Sequence, residues 1–431
     1  MTSIDIRHGD CLEVLRSLSD NSVDSVVTDP PYGLSNTKPA QVADVLAAWV
    51  TGDTEAVPAK KGGFMGKDWD SFVPPPAVWA ECLRVLKPGG HMAVFAGART
   101  QDLMGLSIRL AGFEIRDTLG WIYGSGFPKS QNVSKAIDKA VGAKREKVRT
   151  RITPKTTAGK GFSNEQDERP RMTEARRRGF HEHDSATPAS DEAAKWDGWG
   201  TALKPAIEPI ILARKPLDGT VAANVLEHGV GGLNIDACRV PTDDDTSRPP
   251  GKIGGNTTWD LSSRSEPSKS HAAGRFPANV LLDEHAAEEM DKQSGNFSGV
   301  VSGMKQTGGK VTFTVGDTPS KKQFTPSSQH VKDYGGASRF FPVFKYQAKA
   351  PKKERPVVER EDGTKIQHPT VKPLSLMSWI VTLTTPEGGT VLDPFAGTGT
   401  TLQAARDKGF AAIGVEQDAD YIALIEQRLS A

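Results

Sequence analysis

Cysteine is scarce in this chain, and long apolar runs are absent. Only three cysteines occur among 431 residues, and Cys11, Cys82 and Cys238 lie far apart and form no Cys-x-x-Cys pair. This usage argues against a disulfide framework and a zinc site, so we expect no bound metal. No apolar run approaches the ~20 residues that cross a bilayer, and the first ten residues lack the segments of a signal peptide. We therefore expect a cytoplasmic protein with no membrane partner.

A strong overall charge is also absent. The 54 Lys and Arg residues nearly balance the 53 Asp and Glu residues, which leaves a formal net charge of +1. The distribution is uneven, because residues 131–180 hold 14 basic and 6 acidic side chains. Such a block is typical either of a nucleic-acid contact surface or of a solvated, partly disordered insertion. Charge alone leaves both interpretations open.

Alternating strand and helix patterns occupy both ends of the chain. The N-terminal part predicts strands at 3–7, 23–28, 91–96 and 115–123, and helices at 11–18, 79–86 and 100–111. The C-terminal part predicts helices at 374–383, 399–408 and 419–429, and strands at 390–392 and 411–415. A further strand is expected at 207–213. The alternation favours an α/β fold with a parallel sheet built from both chain ends and a loop-rich middle inserted into it.

The segment 390–401, TVLDPFAGTGTT, reads as a strand, a glycine loop and the start of a helix. Gly397 and Gly399 let a ligand approach the backbone closely, and the helix N-terminus offers free N–H groups. Glu416 ends the next predicted strand, where an acid binds ribose hydroxyls in doubly wound nucleotide sites. No lysine follows Gly399, so the loop is not a P-loop, and it departs from the dinucleotide fingerprint. A nucleotide-like cofactor is predicted, and a plain glycine turn is the alternative.

A second motif, Asp29-Pro30-Pro31-Tyr32, follows the predicted strand at 23–28. Ligands of open α/β sheets bind at such strand ends. An ionised Asp29 only accepts hydrogen bonds, so its carboxylate and the Pro30 carbonyl could take both hydrogens of an amino group. This would localise the nitrogen lone pair of a nucleobase amine, while Tyr32 could stack on the base. A proline-stiffened turn without a ligand is the alternative.

The two motifs, their order and their neighbours resemble the S-adenosylmethionine (AdoMet)-dependent amino methyltransferases of DNA. The resemblance is to the circularly permuted β type of the N6-adenine and N4-cytosine family, including phage- and prophage-like members, and covers about 1–130, 200–217 and 365–431. It implies a Rossmann-like sheet from both chain ends with a large inserted target-recognition region. The expected parts are a catalytic part at 1–130, a basic and flexible insertion at 131–199, a returning strand at 200–217, a target-recognition region at 218–364 and an AdoMet-binding part at 365–431.

The resemblance also implies roles for single residues, position by position. The catalytic motif is Asp29, Pro30, Pro31 and Tyr32. The residues implied in AdoMet binding are Asp10, Cys11, Thr370, Lys372, Asp393, Phe395, Ala396, Gly397, Thr398, Gly399, Thr400, Thr401 and Glu416. The aromatic residues implied beside the target base are Trp121, Tyr123 and Phe127. A core role for Trp121 stays open, because aromatic residues on strands usually pack in the core.

Asp29 at the first motif position favours N6 of adenine, whereas relatives that methylate N4 of cytosine more often carry Ser there. None of the three cysteines follows a proline, which argues against C5 methylation of cytosine. The resemblance implies double-stranded DNA as partner, a flipped target base and a location on the nucleoid. It also allows a homodimer and a cognate restriction enzyme. N4-cytosine methylation and a catalytically silent DNA-binding homologue stay open as alternatives. RNA and protein-glutamine methyltransferases usually have the opposite motif order.

Overall fold

The structure is a computed structural model that describes residues 3–35, 37–58, 70–124, 126, 128, 130–151, 178, 180–244, 246–247, 269–298, 334–344, 356–360, 362–363, 365–367 and 371–430. The chain forms two compact units. Unit 1 comprises Met1–Ser125 and Ala206–Ala431, and unit 2 comprises Gly126–Pro205. None of the helices in the described part of the chain combines the length and apolarity that a membrane span requires.

The strands are numbered in chain order. They are β1 Ile4–His8, β2 Val23–Thr28, β3 Leu86–Phe95, β4 Glu114–Ile122, β5 Lys147–Arg151, β6 Phe180–Asp184, β7 Ile207–Arg214, β8 Val280–Asp283, β9 Phe297–Ser298, β10 Tyr334–Gly335, β11 Val343–Phe344, β12 Val358–Glu359, β13 Lys365–Ile366, β14 Thr390–Asp393 and β15 Ala411–Glu416. The α-helices are α1 Cys11–Arg16, α2 Pro39–Thr51, α3 Pro76–Val85, α4 Gln101–Leu110, α5 Val133–Ala140, α6 Asp191–Lys195, α7 Val221–His228, α8 Glu284–Ser294, α9 Leu374–Thr384, α10 Thr400–Asp407 and α11 Ala419–Ser430.

Both chain ends contribute to the nine-stranded sheet of unit 1, as predicted. Its strand order is β1-β15-β14-β2-β3-β7-β4-β8-β11, so the first strand pairs with the last and β2 pairs with β14. Buried side chains reinforce this junction. The Asp24 carboxylate accepts a 2.8 Å hydrogen bond from the backbone N–H of Thr390, and the hydroxyls of Ser25 and Thr385 lie 2.7 Å apart. The α/β class predicted from the sequence is therefore confirmed.

One strand departs from the predicted parallel arrangement, because β7 runs antiparallel to both of its neighbours, β3 and β4. Ile122 at the end of β4 pairs with Ile207 at the start of β7. The two strands form a hairpin, and unit 2 is inserted where its turn would be. An antiparallel pair needs only a chain reversal, whereas a parallel pair needs a crossover. The residues of β7 alone do not carry this directional information.

Helices cover both faces of the sheet, and the alternation of side chains along the strands separates two cores. On one face, Val26, Met92 and Val94 belong to a cluster with Leu15, Trp79 and Ile108 of α1, α3 and α4. On the other face, Val27, Ala93 and Phe95 belong to a cluster with Leu376, Leu402 and Ile425 of α9, α10 and α11. The carboxyl ends of β1, β15, β14 and β2 are held at one edge by these layers.

One predicted boundary and five helices differ from the sequence analysis. We expected the segment 87–90, KPGG, to end a helix and precede a strand, but β3 already begins at Leu86, which pairs with Val23. Gly89 lies in this strand with φ +77°, and the register of the β2–β3 pair shifts nearby. Helices α2, α5, α6, α7 and α8 were not predicted, because their apolar patterns are short or lie in polar, loop-like surroundings.

Unit 2 is organised around buried polar groups. The Arg145 side chain is 4% exposed and lies 2.6 Å from the Asp138 carboxylate and 2.6 Å from the Ser134 hydroxyl. Asp138 also accepts a 2.8 Å hydrogen bond from Ser190. Around this cluster, β5 and β6 form an antiparallel pair. Residues 152–177, the greater part of the basic block, lie outside the described residues. The predicted boundaries of the insertion, 131–199, stay a prediction.

Candidate active site

The Asp-Pro-Pro-Tyr loop leaves the carboxyl end of β2 and is fixed by two side chains from other elements. The carboxylate of Asp70 accepts hydrogen bonds from the backbone N–H groups of Tyr32, at 2.8 Å, and Gly33, at 2.9 Å. The Thr100 hydroxyl donates a 2.6 Å hydrogen bond to the Tyr32 carbonyl. Gly33 has φ +66°, and a Cβ there would lie 2.7 Å from the backbone nitrogen of Val73. The loop is therefore held in one conformation.

Four polar side chains meet at the end of this loop, and we call them the Asp29 cluster: Asp29, Tyr32, Glu208 and Lys372. The Tyr32 hydroxyl donates a 2.8 Å hydrogen bond to Asp29 Oδ1. Lys372 Nζ lies 3.0 Å from Asp29 Oδ2, 3.1 Å from Glu208 Oε2 and 2.9 Å from Tyr32 Oη. The cluster joins the loop after β2, the start of β7 and the segment before α9.

Charge and burial in the Asp29 cluster favour a protonated lysine and a neutral tyrosine. Burial acts to lower the pKa of Lys372, but the carboxylates of Asp29 and Glu208 outweigh it, so the pKa is raised overall. Burial raises the pKa of Tyr32 well above its usual range, and the same two carboxylates raise it further. The ammonium also lies 5.2 Å from the ring centroid of Tyr32 and 4.9 Å from that of Phe95.

The glycine loop lies between β14 and α10, directly beside the Asp29 loop in the sheet. Gly397 and Gly399 have φ values of +54° and +73°, and a Cβ on Gly399 would lie 2.9 Å from the Ile425 side chain. Behind the loop, the buried Arg428 guanidinium donates a 2.6 Å hydrogen bond to the Thr398 carbonyl. Glycine is thus required for both the backbone conformation and the close packing of α11.

Glu416 ends β15 next to the glycine loop. Its carboxylate accepts 2.8 Å hydrogen bonds from the backbone N–H groups of Gly397 and Asp418. Burial raises the pKa of Glu416 to about 7, although these N–H groups oppose the shift. The side chain is oriented without using all of its acceptor capacity, since an ionised carboxylate offers about four lone-pair positions. It can therefore accept further hydrogen bonds from a ligand.

Asp393 connects the two loops from inside the protein. It is 2% exposed and accepts hydrogen bonds from the Thr28 hydroxyl, at 2.6 Å, and from the Phe395 backbone N–H, at 3.1 Å. Burial raises its pKa to about 6, and the charge of Asp29 adds to that shift. Because its oxygens are used within the protein, Asp393 positions the glycine loop.

Asp10 and Cys11 lie where β1 ends, and β1 is the neighbour of β15. The exposed Asp10 caps α1 by accepting hydrogen bonds from the backbone N–H groups of Leu12, at 2.9 Å, and Glu13, at 3.3 Å. The half-buried Cys11 follows it. Burial raises the pKa of the Cys11 thiol to about 12, and the charges of Asp10 and Glu416 contribute. Asp10, Cys11 and Glu416 are thus brought to one edge of the sheet.

The remaining residues predicted for the site lie in different environments. Thr370 and Phe127 lie outside the described residues. Trp121 is 2% exposed and packs edge-on against Phe344, with ring centroids 5.9 Å apart, so it belongs to the core and does not face a base. Tyr123 is partly buried against the same core. The side chains in the glycine loop and first turn of α10 that are buried are Ala396, Thr398, Thr400 and Thr401, and their contacts with AdoMet stay predictions.

Three residues of the site were not identified from the sequence: Glu208, Asp70 and Thr100. Glu208 is the one acidic residue in the otherwise apolar pattern of β7, and nothing in that pattern indicated a role for it in the site. Asp70 follows a segment without periodicity, and Thr100 looked like the start of a helix. Each contributes through a contact between segments far apart in the chain, which no local pattern encodes. Lys372 was predicted near the cofactor, whereas its ammonium contacts Asp29.

Residues 23–427 match the profile of the N6/N4 methylase family, described as DNA methylase. The chain belongs to this family of DNA methylases. Among curated proteins, it is 40% identical over 65 residues to the Type II methyltransferase M2.DpnII of Streptococcus pneumoniae, covering 15% of this chain and 24% of that protein. It is 42% identical over 77 residues to M.HinfI of Haemophilus influenzae, covering 18% of this chain and 21% of that protein. The chain thus spans about a quarter of the length of these relatives.

Two solved structures show a weak overall likeness. A complex of M1.HpyAVI with SAM has 13% identity and a TM-score of 0.39, with 99% of this chain and 100% of that chain covered. The cytosine-N4-specific PvuII DNA methyltransferase has 14% identity and a TM-score of 0.40, with 99% and 87% covered. At these TM-scores the matches add nothing about the site or the substrate.

Proposed function

We propose that this DNA methylase transfers the methyl group of AdoMet to the exocyclic N6 of adenine in double-stranded DNA. One observation carries the proposal. The loop with an acceptor for an amino group, at Asp29, and the glycine loop lie at the carboxyl ends of neighbouring parallel strands, β2 and β14. Thr28 and Asp393 connect these strand ends directly through a 2.6 Å hydrogen bond. Donor and acceptor sites are therefore adjacent.

The residues at the glycine loop fit AdoMet. The Glu416 carboxylate has spare acceptor positions for ribose hydroxyls, and the positive φ of Gly397 opens the backbone to close approach. The exposed Asp10 lies at the neighbouring strand end, where the family resemblance puts an acid near adenine. When bound, AdoMet supplies an electrophilic methyl group on a sulfonium. Lys372, in contrast, contacts the acids of the Asp29 cluster.

Asp29 and the Pro30 carbonyl act on the amino group. Asp29 can accept one N–H bond and the carbonyl the other, which keeps the nitrogen lone pair free to attack the methyl carbon. The N–C bond forms as the S–C bond breaks, and N6 then releases one proton, which the Asp29 carboxylate is placed to accept. Lys372 and Tyr32 hold the Asp29 carboxylate in place through a 3.0 Å ion pair and a 2.8 Å hydrogen bond.

A base in a stacked duplex does not reach this site, so the target base must be flipped at a cost of a few kcal/mol. Stacking on aromatic side chains returns ~1–3 kcal/mol per base. We assign this role to Tyr32 together with Tyr123 or Phe127. Trp121 is not included, since it is buried in the core.

We further propose that residues 218–364 read the DNA sequence and that the basic insertion at 131–199 contacts phosphates. The insertion holds all 14 basic side chains counted between 131 and 180. Lys and Arg contacts of this kind position a protein on DNA without reading its sequence.

A nucleoid location follows from DNA binding. A homodimer and a cognate restriction enzyme remain part of the proposal, and the Type II name of the curated relatives supports the second.

The proposal is tested by incubating unmethylated double-stranded DNA with methyl-labelled AdoMet and identifying the modified nucleosides after digestion. We expect N6-methyladenine at defined sites. N4-methylcytosine would overturn the choice of base and keep the reaction class. Absence of label in DNA would overturn the activity, and a parallel AdoMet titration then identifies a silent homologue if the cofactor does not bind.

A further inference from the structure

Lys372 uses all of its hydrogen-bond donors within the protein. An ammonium carries three N–H donors and no acceptor. Its three acceptors are Asp29 Oδ2 at 3.0 Å, Glu208 Oε2 at 3.1 Å and Tyr32 Oη at 2.9 Å. The Tyr32 hydroxyl accepts a hydrogen bond from Lys372 and donates one to Asp29 Oδ1. No donor of Lys372 is left for a carboxylate of the cofactor.

The position of Lys372 is also rigid. Its side chain is 12% exposed, and the ammonium lies over the rings of both Tyr32 and Phe95, which favour a cation at their faces. Glu208 contacts the ammonium from β7. A flexible side chain has therefore been immobilised beside the carboxylate that accepts the amino group.

The charge of the cluster shows what this lysine does. Among the described residues, the titratable groups around Asp29 are Tyr32 in its own loop, Lys372, Glu208 on β7 and Asp393 at the end of β14. Asp29 and Glu208 both contact the same ammonium and the same hydroxyl. Without the cation, the two carboxylates would repel each other, and this repulsion would favour protonation of one of them as the pH falls. A protonated Asp29 is a poorer acceptor for an amino group.

We propose that Lys372 and Glu208 form a positioning pair for Asp29: Lys372 keeps Asp29 ionised and aimed at the target amine, Glu208 holds Lys372 in place, and neither binds AdoMet. This proposal rests on the proposed methyl transfer at Asp29. It reassigns Lys372 from the cofactor to the acceptor side of the reaction. It also gives a role to Glu208, which lies in an otherwise apolar stretch of β7.

The experiment compares Lys372→Met, Glu208→Gln and the double variant with wild-type protein. Single-turnover methylation is measured across pH, and AdoMet affinity is measured by calorimetry. For Lys372→Met we expect the single-turnover rate constant at neutral pH to fall about 10²-fold. A fall of this size is typical for the loss of one preorganised electrostatic group. The acidic limb of its pH profile should move to higher pH by about one unit or more, since two unpaired carboxylates now share a proton. AdoMet affinity should stay within about twofold, because no AdoMet contact is removed.

The double variant gives the most direct test. Glu208→Gln removes the competing carboxylate, so adding it to Lys372→Met should return the acidic limb of the pH profile towards its wild-type position. Lys87→Met is the matched control, because Lys87 also pairs with a buried acid, Asp24, at 2.6 Å but contacts no member of the Asp29 cluster. It should leave the acidic limb unchanged. An unchanged limb in Lys372→Met, or a loss of AdoMet affinity of about tenfold, overturns the proposal.

Thermal unfolding across pH tests the pair without relying on activity. As rising pH ionises both carboxylates, the melting temperature of Lys372→Met should fall relative to that of wild-type protein. The double variant, which also carries Glu208→Gln, should not show this fall. Parallel curves for wild type and Lys372→Met overturn the pairing. If wild-type protein methylates no DNA, the proposed function fails, and these curves still decide whether Lys372 controls the charge of the two acids.

Discussion

The Thr28 hydroxyl donates a 2.6 Å hydrogen bond to the buried carboxylate of Asp393, although the two residues are 365 positions apart in the chain. Thr28 is the last residue of β2, directly before Asp29, and Asp393 is the last residue of β14, before the glycine loop. The bond therefore joins the strand ends that carry the Asp29 loop and the glycine loop. Its removal should affect both.

Thr28→Val keeps the shape of the side chain and deletes this bond. Because Asp393 loses a buried partner, we expect the free energy of unfolding to fall by about 1–3 kcal/mol and AdoMet to bind more weakly. Chemical denaturation and calorimetry measure the two effects. Ser25→Ala is the control, since Ser25 makes a similar buried bond to Thr385 away from the loops. It should lower stability and leave AdoMet affinity unchanged. Equal AdoMet affinity in Thr28→Val and wild type would contradict this role.

AdoMet affinity should depend on pH through Glu416. Burial raises the pKa of Glu416 to about 7, and only the ionised carboxylate is a full acceptor for ribose hydroxyls. Protons therefore compete with the cofactor, so affinity should fall as pH drops below about 7, by up to about tenfold per pH unit. Glu416→Gln should bind AdoMet more weakly and without this dependence. A dissociation constant for wild type that is flat from about pH 6 to pH 8 would rule out the assignment.

Asp70 should matter for catalysis through the backbone of the Asp29 loop. Asp70→Ala leaves the N–H groups of Tyr32 and Gly33 without this acceptor, at about 1–3 kcal/mol per buried group. We expect a clear fall in kcat with little change in AdoMet affinity, because the glycine loop is untouched. Asp70→Asn is the matched variant, as its amide oxygen still accepts both bonds, and it should keep most of the activity. Equal losses of activity in Asp70→Ala and Asp70→Asn would show that the hydrogen bonds to the Tyr32 and Gly33 N–H groups are not the reason for the fall in kcat.

Unit 2 can be tested by replacing Gly126–Pro205 with a short turn. The replacement is feasible because Ile122 pairs with Ile207, and the backbone N–H of Tyr123 donates to the Ala206 carbonyl. The shortened protein should still bind AdoMet, while its DNA affinity and the salt dependence of that affinity should both decrease, since phosphate contacts are lost. Unchanged affinity and an unchanged salt slope would exclude unit 2 from DNA binding.

The sequence predicted the parts of the site that depend on local pattern. Asp29, Gly397 and Glu416 were identified because each follows a strand pattern, and the structure brings them to one edge of the sheet. The family was also predicted, and the match over residues 23–427 confirms it. The AdoMet contacts of single residues remain predictions.

Features that depend on pairing between distant segments could not be predicted. The direction of β7 depends on a hairpin whose turn is replaced by unit 2. Glu208 contacts residues at least 164 positions away, and Asp70 contacts residues at least 37 positions away. Trp121 was a candidate for base stacking on its motif position alone, and its burial against Phe344 could not be read from that motif.

Asp29→Ala tests the central claim most directly. AdoMet binding and single-turnover methylation of unmethylated double-stranded DNA are measured on the same preparation of the variant and of wild-type protein. We predict that AdoMet affinity stays close to the wild-type value, because the glycine loop and Glu416 are intact, while N6-methyladenine formation falls by about 10²-fold or more. Methylation at the wild-type rate by Asp29→Ala would contradict the account.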